Sequence, residues 1–283
     1  MNLQDLHNSI SKRLETAHIP ESRLESQLLL RHAFSLTKPD FYSRLYDEDL
    51  DPSQLAILEI TVQQRMERKP LAYLLGTTEF FGREFSVNPS VLIPRQETEI
   101  LVETCIEVLN LTTTHNRIVG DIGTGSGIIA ITLASEMPSL QVIAIDLSPD
   151  ASETALHNST KLGTTDSVSC VTGDLLTPVS CQFALIAANL PYISTTNVET
   201  LQPEVSVYEP RLALDGGDTG LILIDRLLDQ SRTRINPGGH IVLEIDPPLA
   251  SPVARLAQHY FPTSEVTLLN DLNGDVRIAS IHI

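Results

Sequence analysis

The sequence predicts an α/β chain in two parts, a small N-terminal helical bundle followed by a parallel sheet with crossover helices. Three observations predict it. Leucines recur at helical spacing through the first 70 residues. From residue 96 strand-like and helical segments alternate. One strand, beginning at Ile118, runs directly into alternating glycines at 123, 125 and 127. A chain of 283 residues, 42% of them hydrophobic, has ample length for one large domain or two smaller ones.

In the first part, Leu3, Leu6, Ile10 and Leu14 mark one helix, and Leu24, Leu28 and Leu29 mark a second that begins after Pro20. Asp51-Pro52 fits an N-cap with proline at the first helical position, ahead of a stripe of Leu55, Leu58, Val62 and Met66. These stripes are read as core packing. Residues 1–75 are therefore assigned to a helical domain and residues 76–95 to a hairpin linker, because aromatics flank Gly82 in Phe80-Phe81-Gly82-Arg83-Glu84-Phe85. Residues 96–283 form the sheet domain, with strand-like runs at 117–121, 141–145, 167–171, 183–188 and 240–245. The runs 264–269 and 275–282, around Asn273-Gly274, predict an antiparallel hairpin closing the sheet edge.

Composition excludes several classes. The formal net charge is −17, which lacks the electrostatic footprint of an unaided nucleic-acid binder. The charge is uneven: residues 1–79 carry 12 acids and 9 bases, residues 80–283 carry 24 acids and 10 bases, with Lys161 their only lysine. An acidic field favours cationic partners. Three widely spaced cysteines argue against a disulfide framework and for a reducing compartment. No histidine or cysteine cluster has metal-ligand spacing, and no apolar run approaches the length of a membrane span. Met1-Asn2-Leu3-Gln4-Asp5 has no signal-peptide character, so a cytoplasmic protein without a metal is expected.

The sharpest signal is Asp121-Ile122-Gly123-Thr124-Gly125-Ser126-Gly127, which leads into the apolar helix at Ile128-Ile129-Ala130. Glycines there permit positive φ and leave no Cβ between backbone and ligand. Asp146, nineteen residues after Gly127, ends the next strand, where an acid can accept from both ribose hydroxyls of a nucleoside. The dinucleotide fingerprint needs a small residue at position 128, and Ile128 crowds that approach. A loop of this spacing preceded by an acid suits S-adenosylmethionine, whose sulfonium tolerates a carboxylate such as Asp121.

A fourth strand ends in Asn189-Leu190-Pro191-Tyr192, at the sheet edge where open α/β folds bind ligands. The tetrad suits methylation of a planar nitrogen, a weak nucleophile because its lone pair is delocalised. The Asn189 side-chain oxygen and the Leu190 carbonyl can accept its two N–H bonds and support the charge that develops during transfer. Pro191 holds residue 190 extended, and Tyr192 offers a planar wall. No general base is needed, because the methylated nitrogen becomes acidic and loses its proton afterwards.

These motifs together resemble the HemK-type release factor glutamine N5-methyltransferases, which methylate the glutamine of the Gly-Gly-Gln motif in peptide chain release factors. The resemblance covers nearly the whole chain. It includes Lys69 to Gly76, Phe81 to Phe85, Val91-Leu92-Ile93-Pro94-Arg95-Gln96-Glu97-Thr98-Glu99, Asp146-Leu147-Ser148-Pro149, Tyr208 to Leu214 and Asp271 to Arg277. It implies a Rossmann-like class I S-adenosylmethionine methyltransferase sheet behind a helical-bundle domain that recognises the substrate. By the match, Gly123, Thr124, Gly125, Ser126, Gly127, Asp146 and Asn189 would contact S-adenosylmethionine, and Asp174 would accept from the adenine amino group. Asn189, Leu190, Pro191 and Tyr192 would hold the substrate glutamine, with Arg95 and Glu97 shaping its channel. The implied partner is a release factor met by a monomer, with no direct nucleic acid and no membrane.

Three departures stand out. Leu190 replaces the family's first tetrad proline, Gln96 replaces another proline, and Asp246-Pro247-Pro248-Leu249 stands where glycine is expected after Leu243-Glu244-Ile245. The last is expected to remodel a loop far from methyl transfer. Two rival substrates follow from the same motifs. Asn-Leu-Pro-Tyr is also the form in rRNA adenine dimethyltransferases, against which the missing basic patch counts, and a sister family methylates a ribosomal-protein glutamine. An adenosine-binding scaffold without catalysis would leave Asn189 unneeded.

Overall fold

The computed structural model describes residues 2–47, 49–111 and 117–283. Chain contacts divide these into two compact units, one of residues up to Gly76 together with Gln202–Tyr208, the other of Thr77–Leu201 and Glu209–Ile283.

The first unit is built from helices Leu3–Thr16 (α1), Ser22–Ala33 (α2), Lys38–Ser43 (α3), Pro52–Met66 (α4) and Leu71–Leu75 (α5). Their starts follow local chemistry. Asn2 and Asp5 form a capping box on α1, Thr37 and Asp40 form another on α3, and Asp51 caps α4 ahead of Pro52. Leu3, Leu6, Ile10, Leu14, Leu29, Leu30, Phe41, Leu58 and Val62 make one core. Two details depart from the predicted stripes. Leu24 is 49% exposed and Leu28 half-buried, while α2 buries Leu29, as predicted, and Leu30. In α4 the buried residue one turn beyond Val62 is Arg65, whose guanidinium meets Glu25 at 2.6 Å and Glu204 at 3.1 Å. A buried arginine with two carboxylates is compensated, but removal of the arginine leaves two carboxylates short of a partner.

The second unit opens with the hairpin Thr77–Phe80 (β1) and Arg83–Ser86 (β2). Phe80 and Phe85 meet edge to face at 6.2 Å and belong to the core of this unit, alongside Leu101, Val102 and Leu133. Helix Glu97–Leu111 (α6) leads to Ile118–Ile122 (β3), Ile128–Glu136 (α7), Gln141–Asp146 (β4), Pro149–Lys161 (α8), Val168–Thr172 (β5) and Phe183–Ala188 (β6). Ile235–Glu244 (β7), Glu265–Asn270 (β8) and Val276–His282 (β9) complete the sheet, with a helix at Ile222–Ser231 before β7 and another at Ala250–Tyr260 after it. The order is β5-β4-β3-β6-β7-β9-β8, parallel except for β9, which runs antiparallel to both neighbours.

Every residue of β6 is buried, as expected of a central parallel strand covered on both faces. Strand β7 begins at Ile235 rather than at residue 240. Its register against β6 shifts between Phe183 and Leu185. Pro237, which donates no hydrogen bond, and Gly238, at φ +75°, interrupt the alternation by which a strand is recognised. The predicted hairpin is present, but it does more than close an edge: β9 lies inside the sheet and β8 forms the rim.

Candidate active site

Parallel strands β3, β4, β5 and β6 end at the same side of the sheet. The strand order reverses at β3, which has β4 on one flank and β6 on the other. Such a switch point leaves a crevice beyond the strand ends. A cleft of about 320 Å³ lies there. Gly123–Ser126 line it after β3, Asp146–Ser148 after β4, Gly173–Leu175 after β5 and Asn189–Pro191 after β6.

The glycine loop is held from below. Gly123 and Thr124 donate backbone N–H bonds to the Ile145 carbonyl at 2.8 and 3.0 Å. Asp146 Oδ2 accepts from Gly125 N at 2.8 Å, and its Oδ1 accepts from Ser148 N at 2.9 Å. Burial raises the Asp146 pKa, opposed by those backbone N–H bonds. Asp121 is fully buried beneath the loop, accepting at Oδ2 from Thr124 Oγ1 at 2.5 Å and from Ala130 N at 3.0 Å. Its Oδ1 is buried with no hydrogen-bond partner among the described residues, and desolvation pushes its pKa up to about 7. Gly125, at φ +56°, has nothing within 4 Å of the position a Cβ would take, so the loop presents open space to the cleft. An open backbone cradle, an apolar wall including Ile128 and Ile129, and carboxylates on or beneath the loop fit a nucleoside carrying positive charge.

Gly127 does not line the cleft. It caps α7 at φ +83°, and a Cβ there would lie 3.1 Å from Ala155 Cβ, so its smallness serves helix packing. Glu97 and Tyr192 are likewise absent from the lining, whereas Arg95 is present. Arg95 meets Glu209 at 2.5 Å, and the Glu209 side chain, 1% exposed, also accepts from Ile93 N at 3.3 Å. Asp174 lines the cleft with one oxygen on Arg226 at 2.5 Å, both side chains being part exposed.

At the end of β6, Asn189, Leu190 and Pro191 face the cleft. Leu190 is 4% exposed; a Cβ on Gly123 would touch its Cδ2 at 3.0 Å, so this side chain fills space beside the glycine loop. The tetrad backbone is gripped by Gly220, where a Cβ would come within 2.2 Å of the Tyr192 carbonyl. Asn189 Nδ2 donates to Thr98 Oγ1 at 3.2 Å, and Thr98 donates to Glu244 Oε2 at 2.7 Å. The Tyr192 hydroxyl lies 3.5 Å from Glu244 Oε1. Burial raises the Glu244 pKa, and it raises that of Tyr192, with Glu244 and Asp246 adding to the Tyr192 shift. Thr98 and Glu244 did not emerge from sequence reasoning as site residues, because they lie 91 and 55 positions from Asn189 on other elements. The Asp246-Pro247-Pro248 turn is also nearer the tetrad than expected. Asp246 pairs with Arg277 at 3.1 Å, and the charge of each shifts Tyr192.

Residues 5–76 match the PrmC N-terminal domain family, and residues 101–206 match the ribosomal protein L11 methyltransferase (PrmA) family. The release factor glutamine methyltransferase of Koribacter versatilis is 36% identical across 98% of this chain and 97% of its own. Those of Geobacter sulfurreducens and Nitratidesulfovibrio vulgaris are 41% and 38% identical, covering 80% and 96% of this chain and 78% and 92% of theirs. The chain belongs to the release factor glutamine methyltransferase family. The fold predicted for such a methyltransferase, a mixed sheet with helices, preceded in sequence by a PrmC-type N-terminal segment, is the one observed. The catalytic domain of hMettl16 in complex with an RNA hairpin superposes with a TM-score of 0.57 at 14% identity, covering 82% of each chain. The T. thermophilus 16S rRNA N2 G1207 methyltransferase, in complex with AdoMet and guanosine, gives 0.52 at 15% identity over 73% of this chain and 49% of that one. At such identities the likeness is one of fold alone. Among the described residues, no helix is long and apolar enough to cross a membrane.

Proposed function

We propose that this methyltransferase transfers a methyl group from S-adenosylmethionine to the side-chain amide N5 of the glutamine in the Gly-Gly-Gln motif of peptide chain release factors. The observation that carries the proposal is that Asn189 and the glycine loop line one cleft, in a chain related along nearly its full length to release factor glutamine methyltransferases.

Gly123–Ser126 and Asp146 would hold the nucleoside and amino-acid portions of the cofactor, Asp174 with its oxygen not paired to Arg226 would take the adenine amino group, and Asn189 would complete the cofactor site. Bound there, S-adenosylmethionine supplies an electrophilic methyl on a positively charged sulfur. Asn189 Oδ1 and the Leu190 carbonyl accept the two N–H bonds of the glutamine amide, which keeps its lone pair directed at the methyl carbon. As the N–C bond forms and the C–S bond breaks, positive charge moves to nitrogen, and those two oxygens stabilise it. The nitrogen then loses a proton to solvent, so no side chain has to remove one beforehand. Pro191 fixes the backbone that presents the carbonyl, Tyr192 supports it from outside the lining, and Arg95 and Glu97 shape the approach.

The helical unit, residues 1–75, recognises the release factor, and 76–95 link it to the catalytic part, residues 96–283. The enzyme acts as a monomer in the cytoplasm. The match of residues 5–76 to the PrmC N-terminal domain favours a release factor over a ribosomal-protein glutamine, and the net charge of −17 disfavours RNA. Incubation with methyl-labelled cofactor and, separately, a release factor, ribosomal proteins and rRNA tests this. Label on the Gly-Gly-Gln glutamine is expected, and label in RNA alone would overturn the reading.

A further inference from the structure

An amide such as Asn189 can present either its oxygen or its NH2 to a substrate, and methylation of a nitrogen bearing two protons needs the oxygen. The wall behind Asn189 decides between them. Glu244, the last residue of β7, is 3% exposed, and Thr98, in the first turn of α6, is 1% exposed. A threonine hydroxyl has one proton, and a carboxylate has none to give. With the Thr98 proton committed to Glu244 Oε2 at 2.7 Å, the Thr98 oxygen can only accept from Asn189. It is met by Nδ2 at 3.2 Å. The branch left to face the cleft is then Oδ1.

Besides Thr98, Glu244 is faced by the Tyr192 hydroxyl and by the charges of Glu97 and Arg277. Arg277 is held by Asp246 at 3.1 Å and Asp271 at 3.2 Å, which fixes a cation near the buried carboxylate. A glycine loop can bind cofactor without any of this; the chain of hydrogen bonds ends on Asn189 and includes no member of that loop.

We propose that Thr98 and Glu244 are positioning residues that lock the Asn189 amide with its oxygen toward the substrate, and so select a side chain ending in NH2 over one ending in a carboxylate. The inference rests on the reading that Asn189 accepts from the substrate amide. Two acceptors at fixed positions bind a two-proton donor and repel an acceptor, so glutamine is favoured over glutamate at the same place.

Thr98→Val keeps the side-chain shape and deletes the hydroxyl. It should lower kcat for glutamine methylation about tenfold to a hundredfold, with KM for the release factor and calorimetric affinity for S-adenosylmethionine within about threefold. Thr98→Ser restores the hydroxyl and should bring kcat back to within about threefold. A second readout is independent of turnover: the Asn189 side-chain NH2 protons, assigned by their loss in Asn189→Ala, should exchange slowly in the parent and in Thr98→Ser, and quickly in Thr98→Val. Should Thr98→Val fail to fold, Glu244→Gln serves instead, since its amide can donate to Thr98 and turn the hydroxyl proton toward Asn189. Parent-like kcat and exchange in the hydroxyl-less protein would overturn the proposal, as would a Thr98→Ser protein as impaired as Thr98→Val. Loss of protection in a protein that methylates no glutamine at all would support the locked amide and defeat the functional reading beneath it.

Discussion

The two walls of the cleft are built in opposite ways. On the proposed cofactor side, Asp121, the glycine loop and Asp146 come from two adjacent strands and hold one another mainly through backbone N–H groups. On the proposed substrate side, Asn189 is bonded to Thr98 from α6, and Thr98 to Glu244 from β7, side chain to side chain. Backbone support tolerates changes of side chain, whereas a hydrogen-bonded chain of side chains fails when any member is lost. The difference teaches that binding and turnover should be separable by mutation in this fold.

Asn189→Ala provides the hardest test of that separation. It should lower methyl transfer by about a thousandfold or more, while S-adenosylmethionine binding remains measurable by calorimetry. Full activity in that variant would break both the mechanism and the contrast. The cofactor wall should respond to pH instead. Asp121 has its pKa raised to about 7 by burial, with Thr124 and Ala130 N bonded to it and the charge of Asp146 adding to the rise. A cation in the cleft favours its ionised form, so binding expels a proton and affinity rises from pH 6 to pH 8, by up to about tenfold in all, most of it below pH about 7. For folding the sign is opposite. A carboxyl whose pKa is raised on folding gives stability that is complete below pH about 4 and is lost as pH rises through about 7. Asp121→Asn should flatten both slopes; a slope left intact would assign it to Asp146, whose pKa is also raised.

The smallest effect on the cleft is expected at Gly127. Alanine there meets Ile131 Cδ1 at 2.9 Å and keeps a strained φ of +83°. The cost should be about 1–3 kcal/mol in stability by denaturant titration, with cofactor affinity of the folded protein unchanged within about twofold. A large loss of affinity without loss of stability would return Gly127 to the binding wall.

The legibility of the site follows the same division. Gly123, Gly125, Asp146 and Asn189 were readable because each sits at a fixed offset from an apolar strand, and the backbone geometry that makes them useful is local. Asp146 was expected as a ribose acceptor; that it also pins Gly125 was hidden, since a loop's own hydrogen bonds leave no mark in spacing. Thr98 and Glu244 read as an ordinary helix start and an ordinary strand end. Their pairing depends on α6 and β7 coming together in space, which periodicity does not encode. Arg65 was invisible for a related reason: a charged residue following an apolar stripe looks solvent-facing until Glu25 and Glu204 are seen around it. The late start assigned to β7 has a local cause in Pro237 and Gly238, which mimic a turn.

The place of β9 inside the sheet bears on how the enzyme comes into being. Strand β7 pairs with β6 on one edge, but its other edge waits for β9, which the chain reaches only after the helix Ala250–Tyr260 and β8. Until then Ile241, Val242 and Leu243 present an open, apolar rim of the kind that recruits foreign strands. Pairing across that sequence separation is slow relative to local contacts. The cofactor cradle, made of neighbours in sequence, can therefore assemble early, while the strand that carries Glu244 is secured late. A newly made molecule should pass through a stage in which it holds its methyl donor before it can aim it.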